Sequence, residues 1–334
     1  MIRRPPRSTL DRSSAASDVY KRQLANIKKA KKLLYKRECI AIPTETVYGL
    51  AGNAYSDQAC QKIYKLKKRP KNNPLIVHYL NIQRLKKDCH LNNDFIKLYK
   101  KFCPGPLTFI LNLKKSSKIS KIITNKKNTL AVRFPRHSVT RRLLKILEFP
   151  LAAPSANPSS RVSAVTSNHV KEDFGKKIKY ILEGGKSSIG VESTIIDLRE
   201  KPKILRLGGL NVSTNQKILG KKITINNKPS KIVSPGQLKV HYSPGLPIRL
   251  NAKNIRKDEA YLLIRKKKVS KPNYYFLSQQ GNLKEAAKNL YSTLRKIKKK
   301  KYSSIAVCKI PDRGYGKTIN DRLLRASRFN EKTT

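Results

Sequence analysis

The stretch from Cys39 to Leu50 reads CIAIPTETVYGL and places a short apolar run directly before a turn rich in hydroxyl groups. An apolar run of this length that ends at Pro43 is typical of a buried strand. Hydroxyl side chains and a glycine at the end of a strand commonly form the edge of a ligand-binding site. An ordinary β-turn explains the same residues, and the spacing alone favours that simpler interpretation.

Helical and strand patterns alternate on the C-terminal side of this stretch, which predicts an α/β domain with a mixed sheet. We expect the domain to begin near Leu24 and to end near Leu210. Predicted helices span residues 57–67, capped by Asp57, and residues 93–102, 138–147 and 165–174. Predicted strands span residues 75–80, 107–113, 130–134, 151–153, 193–198 and 204–207.

A second unit follows the first. Residues 211–247 are polar, basic and interrupted by Pro and Gly, which predicts a linker, with one weak strand signal at residues 222–225. Strands and helices alternate again over residues 248–328, which predicts a small Rossmann-like α/β domain. It has no GxGxxG fingerprint, so nothing in it argues for dinucleotide binding.

Residues 1–23, MIRRPPRSTLDRSSAASDVYKRQ, do not share this organisation. They have no apolar core for a secretory signal, and Asp11, Asp18 and the lack of an amphipathic face argue against a transit peptide. The segment resembles translated sequencing-adapter sequence. We therefore leave it out of the fold and expect a disordered, non-native leader.

Composition sets the class of protein. The 334 residues include 75 Lys and Arg but only 20 Asp and Glu, a formal net charge of +55. The length suggests about two domains, and no apolar run approaches the roughly 18 residues of a transmembrane helix, so we expect no membrane partner. The charge suits nucleic-acid phosphates. The lysines are spread along the whole chain, however, and a compositional bias of the genome explains them equally well.

The cysteines indicate the compartment. The chain has five of them, far apart and without a CxxC pair, which argues against both a disulfide framework and a structural zinc site. A reducing, cytoplasmic setting fits this pattern best.

Four further motifs have side chains suited to an anionic ligand. In KKRPKNNPL (residues 67–75), two cations flank one residue and precede a rigid proline and an amide, which can hold a polyphosphate. LAVRFP (residues 130–135) places Arg133 inside an apolar strand, where burial requires a partner. PSAN (residues 154–157) and GVESTIID (residues 190–197) add small polar groups. A solvated basic loop, an internal acidic partner for Arg133 and plain Asx turns are the competing explanations.

Taken together, these motifs resemble the YrdC/YciO-type domain over residues 24–210. The set is PTETVYGL, KxRPxxNPLxxH from Lys67 to His78, CPGPLT (103–108), LAVRFP, PSAN, GVESTIID and ILRLG (204–208). The linker sequence SPGQLKVHYSP (234–244) and the tail GYGKTINDRLLRAS (314–327) resemble the long-form members, the threonylcarbamoyl-AMP synthase family.

The resemblance implies a YrdC-type twisted mixed sheet with flanking helices, joined by a linker to the Rossmann-like domain. It also implies an enzyme that converts ATP, L-threonine and bicarbonate or CO2 to threonylcarbamoyl-AMP and pyrophosphate. This is the first step of tRNA threonylcarbamoyladenosine synthesis, completed by a downstream tRNA threonylcarbamoyl-transferase machinery. Mg²⁺ would accompany ATP, and no metal site of the protein's own is expected. In long-form members the linker, here residues 211–247, folds over the active site as a lid.

The resemblance also assigns residues, position by position. Lys67 and Arg69 match the catalytic phosphate motif. The ATP-binding positions are Lys67, Arg69, Asn73, Thr129, Ser155, Asn157, Ser163, Arg206, His241 and Tyr242. The threonine-binding positions are Thr44, Thr46, His78, Arg133, Ala153 and Ser193, with Arg133 pairing the substrate carboxylate. The alternative function is a YrdC-like protein that binds double-stranded RNA or tRNA without forming an adenylate. In the main interpretation, RNA binding remains a weak secondary property.

Overall fold

The computed structural model describes residues 10–226, 241–267 and 271–328, and residues 10–22 only as backbone. The helices are α1 (Leu10–Tyr35), α2 (Asp57–Lys67), α3 (Ile82–Leu85), α4 (Asn93–Phe102), α5 (Lys121–Thr124), α6 (Ser138–Ile146), α7 (Ser167–Phe174), α8 (Val212–Leu219), α9 (Leu283–Lys298) and α10 (Tyr315–Ala326). The strands are β1 (Ile40–Ile42), β2 (Gly49–Asn53), β3 (Ile76–His78), β4 (Leu107–Asn112), β5 (Thr129–Arg133), β6 (Leu151–Ala152), β7 (Thr194–Asp197), β8 (Lys203–Arg206), β9 (Thr224–Ile225), β10 (Ile248–Arg249), β11 (Glu259–Arg265), β12 (Tyr274–Ser278) and β13 (Ser304–Val307).

The first domain is built on a nine-stranded mixed sheet in the order β1-β2-β6-β3-β5-β4-β7-β8-β9. Neighbours pair in parallel at β3/β5, β4/β7 and β8/β9, and the remaining pairs are antiparallel. The predicted α/β class with a mixed sheet is confirmed.

The two faces of this sheet have different roles, because successive side chains of a strand point to opposite faces. Val77 of β3 and Val132 of β5 belong to the large core that packs against the helices. Their neighbours Ile76 and Ala131 form a small separate cluster on the other face. The same alternation places His78 and Arg133, which are paired across β3 and β5, on the face with Ile76.

The second domain contains a parallel four-stranded sheet in the order β10-β13-β11-β12, with α9 and α10 as its helices. This confirms the predicted small Rossmann-like unit. Its apolar core is continuous with buried residues of the first domain. Val47, Val162, Val165 and Val191 of the first domain lie in the same buried cluster as the core residues of α9 and α10.

The observed boundaries differ from the predicted ones at two places. Helix α8 and strand β9 continue the first domain beyond Leu210, because Leu219 and Ile223 are buried in its core. Residues 227–240, the middle of the predicted linker and lid, lie outside the described residues. Helix α1 starts at Leu10, so residues 10–23 are helical where disorder was expected. They contain no Pro or Gly, and a helix propagates easily from turns already packed in a core. Residues 1–9 lie outside the description.

A buried carboxylate joins the two domains. Glu192 of the first domain accepts hydrogen bonds from Arg322 Nε at 2.9 Å and from Tyr291 Oη at 2.8 Å, both in the second domain. Burial alone would raise the pKa of Glu192, but Arg322 and Arg206 hold it at about 2, against an ordinary value of 4.5. The carboxylate is therefore ionised at neutral pH.

This pKa predicts a pH-dependent stability. As pH falls from about 4.5 towards 2, the unfolded chain binds a proton at Glu192 that the native chain does not, so the native state loses stability. Replacing Glu192 with Gln removes the carboxylate that Arg206 and Arg322 share, and leaves Asp321 as the carboxylate that still pairs with Arg322. We expect a loss of about 3 kcal/mol at pH 7, which narrows as the pH falls below 4.5. Urea unfolding of both proteins between pH 3.5 and 7 measures the difference; parallel pH curves would contradict the assignment.

Candidate active site

A narrow cavity of about 40 Å³ lies against the face of the large sheet that carries His78 and Arg133. The loop after β1, the loop after β6 and the segment before β10 close it from the other sides. Most of the residues predicted from the sequence line this cavity: Thr44, Thr46, Arg69, His78, Arg133, Ala153, Ser155, Ser193, Arg206, His241 and Tyr242. Glu192 lines it as well. Pockets for drug-sized ligands hold roughly 300–1,000 Å³, so this cavity is narrow by comparison.

Arg69 is fixed by the loop that follows it. Its Nε donates to Asn73 O at 2.9 Å, and its Nη2 donates to Asn73 Oδ1 at 2.5 Å and to Pro74 O at 2.9 Å. Burial lowers the pKa of Arg69 to about 10, which leaves it charged at neutral pH. Asn73 thus orients Arg69 towards the cavity and does not line the cavity itself.

Lys67 lies behind the cavity wall. Its Nζ donates to Ser155 O at 2.5 Å and to Asn157 O, so the ammonium group fastens the PSAN loop to the end of α2. Burial, and secondly the charge of Arg69, hold the pKa of Lys67 well below its usual value. The predicted pair of phosphate-binding cations is therefore divided. Arg69 faces the cavity, whereas Lys67 holds the loop beside it.

His78 and Arg133 form the floor. Arg133 Nη2 pairs with Glu45 Oε1 at 2.7 Å, so the internal acidic partner left open by the sequence exists. The Nε of Arg133 and both ring nitrogens of His78 are buried and have no hydrogen-bonding partner among the described residues. Burial, followed by the charge of Arg133, holds the pKa of His78 well below its usual value. A neutral imidazole and a half-satisfied guanidinium therefore lie side by side.

Ser193 directly precedes β7 and is hydrogen-bonded to residues of the two neighbouring strands, β8 and β4. Arg206 donates to it twice, from Nε to the carbonyl oxygen and from Nη2 to Oγ, each at 3.0 Å. Thr108 Oγ1 lies 2.7 Å from Ser193 Oγ. Burial lowers the pKa of Arg206, and its charge lies close to the carboxylate of Glu192.

The hydroxyl-rich turn is held by its own side chains. Thr44 Oγ1 donates to Val47 O at 2.6 Å and lies 2.9 Å from Thr46 Oγ1. Asn157 and Ser163 support the wall without lining it, Asn157 through bonds to Pro158 O and Arg161 O and Ser163 by donating to Glu192 at 2.6 Å.

Thr129 is the one predicted residue that the structure separates from the others. It begins β5, whereas Arg133 ends it, which places the two Cα atoms about 13 Å apart at 3.3 Å per residue. Thr129 does not line the cavity.

Two functional carboxylates were missed by the sequence interpretation. Glu45 and Glu192 were quoted inside their motifs but given no role, although each neutralises buried arginines. The sequence signal that could have revealed them is the scarcity of acidic residues. In a chain with only 20 acidic residues, a carboxylate in an otherwise apolar motif indicates a buried ion pair.

The chemistry of the cavity suits an anionic, hydrogen-bonding ligand. Three guanidinium groups line it, those of Arg69, Arg133 and Arg206. Besides the atoms of His78 and Arg133, His241 Nδ1 and Tyr242 Oη are buried without a partner among the described residues. Buried polar groups are normally paired, so this concentration of unpaired atoms indicates a ligand that pairs them.

Two family models together cover most of the chain. The model described as "Telomere recombination" matches residues 32–208, and the model of the threonylcarbamoyl-AMP synthase C-terminal domain matches residues 203–328. The threonylcarbamoyl-AMP synthase of Pyrococcus abyssi is 33% identical over 311 residues, covering 87% of this chain and 90% of that protein. The enzyme of the same name from Bacillus subtilis is 33% identical over 321 residues, covering 90% and 92%.

Solved structures agree. The crystal structure of P. abyssi Sua5 complexed with L-threonine superposes with a TM-score of 0.82 at 32% identity, covering 90% of this chain and 94% of that one. The fold and its cavity define a two-domain protein with a YrdC-type sheet. The chain belongs to the threonylcarbamoyl-AMP synthase family.

The state of His78 can be measured directly. Because burial beside Arg133 disfavours the imidazolium, we expect the ring of His78 to remain neutral at the pH where an ordinary histidine ring, with a pKa of 6.5, takes up a proton. NMR of the five histidine rings follows their titration, and a His78→Asn variant assigns the signal. A midpoint near the ordinary value of 6.5 would show that the ring is not enclosed as described.

Proposed function

We propose that the protein condenses ATP, L-threonine and bicarbonate or CO2 to threonylcarbamoyl-AMP and pyrophosphate. The observation that carries this proposal is the cavity, where three buried guanidinium groups lie beside a neutral histidine and unpaired polar atoms. Membership of the family and the likeness to a threonine-bound structure support it.

The two halves of the cavity suit the two organic substrates. Arg133 has an unpaired Nε, which suits the carboxylate of threonine. The neighbouring ring of His78 is neutral and does not repel the threonine amine. Arg69, oriented by Asn73, and Arg206 suit the phosphates of ATP. Lys67 would act through the PSAN loop whose carbonyls it holds.

The reaction needs positioning and charge stabilisation more than a protein nucleophile. The threonine amine adds to CO2 and loses a proton, which gives a carbamate. A carbamate oxygen then bonds to the α-phosphorus as the bond to the leaving pyrophosphate breaks. Fixed cations in a water-poor site stabilise the negative charge that develops on the phosphates, and holding both substrates together removes most of the entropic cost.

Mg²⁺ is proposed as a companion of ATP. Among the described residues, no group of three or more His, Cys, Asp or Glu side chains could hold a metal ion. Glu192, which lines the cavity, and Glu45, which lies behind Arg133, are already paired with arginines. The phosphates would therefore supply most of the ligands, as is usual for Mg²⁺ at nucleotide sites.

The product would feed tRNA threonylcarbamoyladenosine synthesis, and a separate transferase machinery would complete the modification. Within the described residues, no helix combines the length and apolarity needed to cross a bilayer. The cytoplasmic location and weak RNA binding inferred from the sequence stay predictions.

Mass spectrometry of the products tests the function. Purified protein with ATP, bicarbonate and threonine is expected to form threonylcarbamoyl-AMP and one pyrophosphate per adenylate, and omission of threonine or bicarbonate is expected to stop both. ATP that stays intact with all three substrates would reject the proposal. RNA binding by such an inactive protein would favour the alternative function instead.

Two variants test the assignment of Arg69 to ATP and of Arg133 to threonine. Arg69→Ala is expected to lower kcat/KM for ATP about 100-fold, because it removes a preorganised cation. Arg133→Ala is expected to raise the KM for threonine about tenfold or more through loss of a charged hydrogen bond, with a smaller effect on the KM for ATP. Initial rates at varied ATP and threonine measure both.

Lys65→Ala is the matched control, since Lys65 is an exposed cation on the same helix as Lys67. We expect its rates to equal those of the wild type. An Arg133→Ala variant with unchanged threonine dependence would contradict the carboxylate assignment.

A further inference from the structure

Tyr242 has a backbone conformation that requires support. Its φ of 65° lies in the left-handed region, which costs a residue with a Cβ roughly 1–2 kcal/mol. Such conformations persist where surrounding structure enforces them, and they concentrate at functional sites. Tyr242 is almost fully buried and lines the cavity, so its support bears on the site.

The support comes from the second domain. The guanidinium carbon of Arg322, on α10, lies 4.6 Å from the centre of the Tyr242 ring. The ring of Tyr291, on α9, stacks on Tyr242 with centroids 5.9 Å apart and planes 18° apart. A cation over an aromatic face contributes about 2 kcal/mol or more when both are removed from water. Neither Arg322 nor Tyr291 lines the cavity.

The same two residues hold the opposite wall. Arg322 Nε and Tyr291 Oη both donate to Glu192, and Ser163 Oγ donates to its other oxygen at 2.6 Å. A second guanidinium nitrogen of Arg322, Nη2, donates to Leu207 O at 2.7 Å, next to Arg206. The guanidinium group of Arg322 therefore contacts the ring of Tyr242, the carboxylate of Glu192 and the backbone next to Arg206.

The chain around Tyr242 is fixed to both domains. His241 N donates to Arg325 O on α10 at 3.4 Å, and the rings of His241 and Tyr242 lie 3.9 Å apart. On the other side, Ser243 N donates to Ser160 O at 2.8 Å and Val162 N donates to Ser243 O at 3.2 Å. The segment thus bridges α10 and the loop that follows PSAN.

We propose that Arg322 is a positioning residue through which the second domain holds Tyr242 in place over bound nucleotide. The inference rests on the proposed function, because it takes Tyr242 to contact ATP. Arg322 is suited to this task by its planar group, which stacks on a ring and pairs with a carboxylate at the same time. A lysine in its place would keep the charge near Glu192 but could not reproduce the stacking.

A double-variant cycle tests the coupling. The variants are Arg322→Lys, Tyr242→Leu and the two combined, and the readout is the Kd for an ATP analogue with a methylene bridge between the α- and β-phosphates. Each single variant is expected to weaken binding about thirtyfold, the scale of one buried cation–π contact. If Arg322 acts through Tyr242, the double variant is also weakened about thirtyfold and not by the product of the two single losses.

Leu263→Ala is the control for a merely structural effect. Leu263 is a buried residue of β11, and the cluster in which it packs lies entirely within the second domain and contains no residue of the cavity. The variant is expected to lose thermal stability through the cavity that it leaves, yet to bind the analogue like the wild type.

Four outcomes separate the hypotheses. Additive losses in the double variant, or an equal loss of affinity in Leu263→Ala, would overturn the positioning role and leave the proposed function intact. Unchanged affinity in Arg322→Lys would do the same. A wild-type protein that neither binds the analogue nor forms the adenylate would overturn the proposed function, and this inference with it.

Discussion

The ion pair between Glu192 and Arg322 is the interaction on which the rest of the molecule depends. It lies at the boundary of the two domains, where Arg206 and Arg322 bring like charges into an apolar surrounding. Burying an isolated charge is strongly unfavourable, and the carboxylate of Glu192, which lies close to both arginines, offsets the cost of burying them. The cavity wall, the domain interface and the conformation of Tyr242 all follow from this one neutralised cluster.

The structure shows where the high positive charge lies. Among the side chains that the structure describes, the buried cations other than Lys67 are all arginines: Arg69, Arg133, Arg206, Arg295, Arg322 and Arg325. Arginine tolerates burial because its planar group pairs with several acceptors at once. The abundant lysines lie mostly at the surface, where a compositional bias changes little. The chemistry of the cavity therefore does not depend on the charge excess.

Much of the fold could be predicted because its signals are local. The apolar run before Pro43 and the apolar segment LAVRFP correspond to β1 and β5. The start of α2 shows the limit of local signals, since Ser56 and not Asp57 provides the cap, with its side chain accepting from Ala59 N. The partner of Arg133 and the clamp on Tyr242 could not be predicted. Glu45 lies 88 residues from Arg133 and Glu192 lies 130 residues from Arg322, distances at which single-sequence patterns carry no information on pairing.

The four valines of the first domain that enter the core of the second have a thermodynamic consequence. Neither domain encloses its own apolar surface, so removing one would expose an apolar patch on the other. Domains with separate cores unfold in separate transitions, whereas domains that share a core lose it together. We therefore expect the two domains to unfold in one cooperative transition. An isolated YrdC-type half cut from it would have to replace that lost apolar contact before it could stay in solution as a stable monomer.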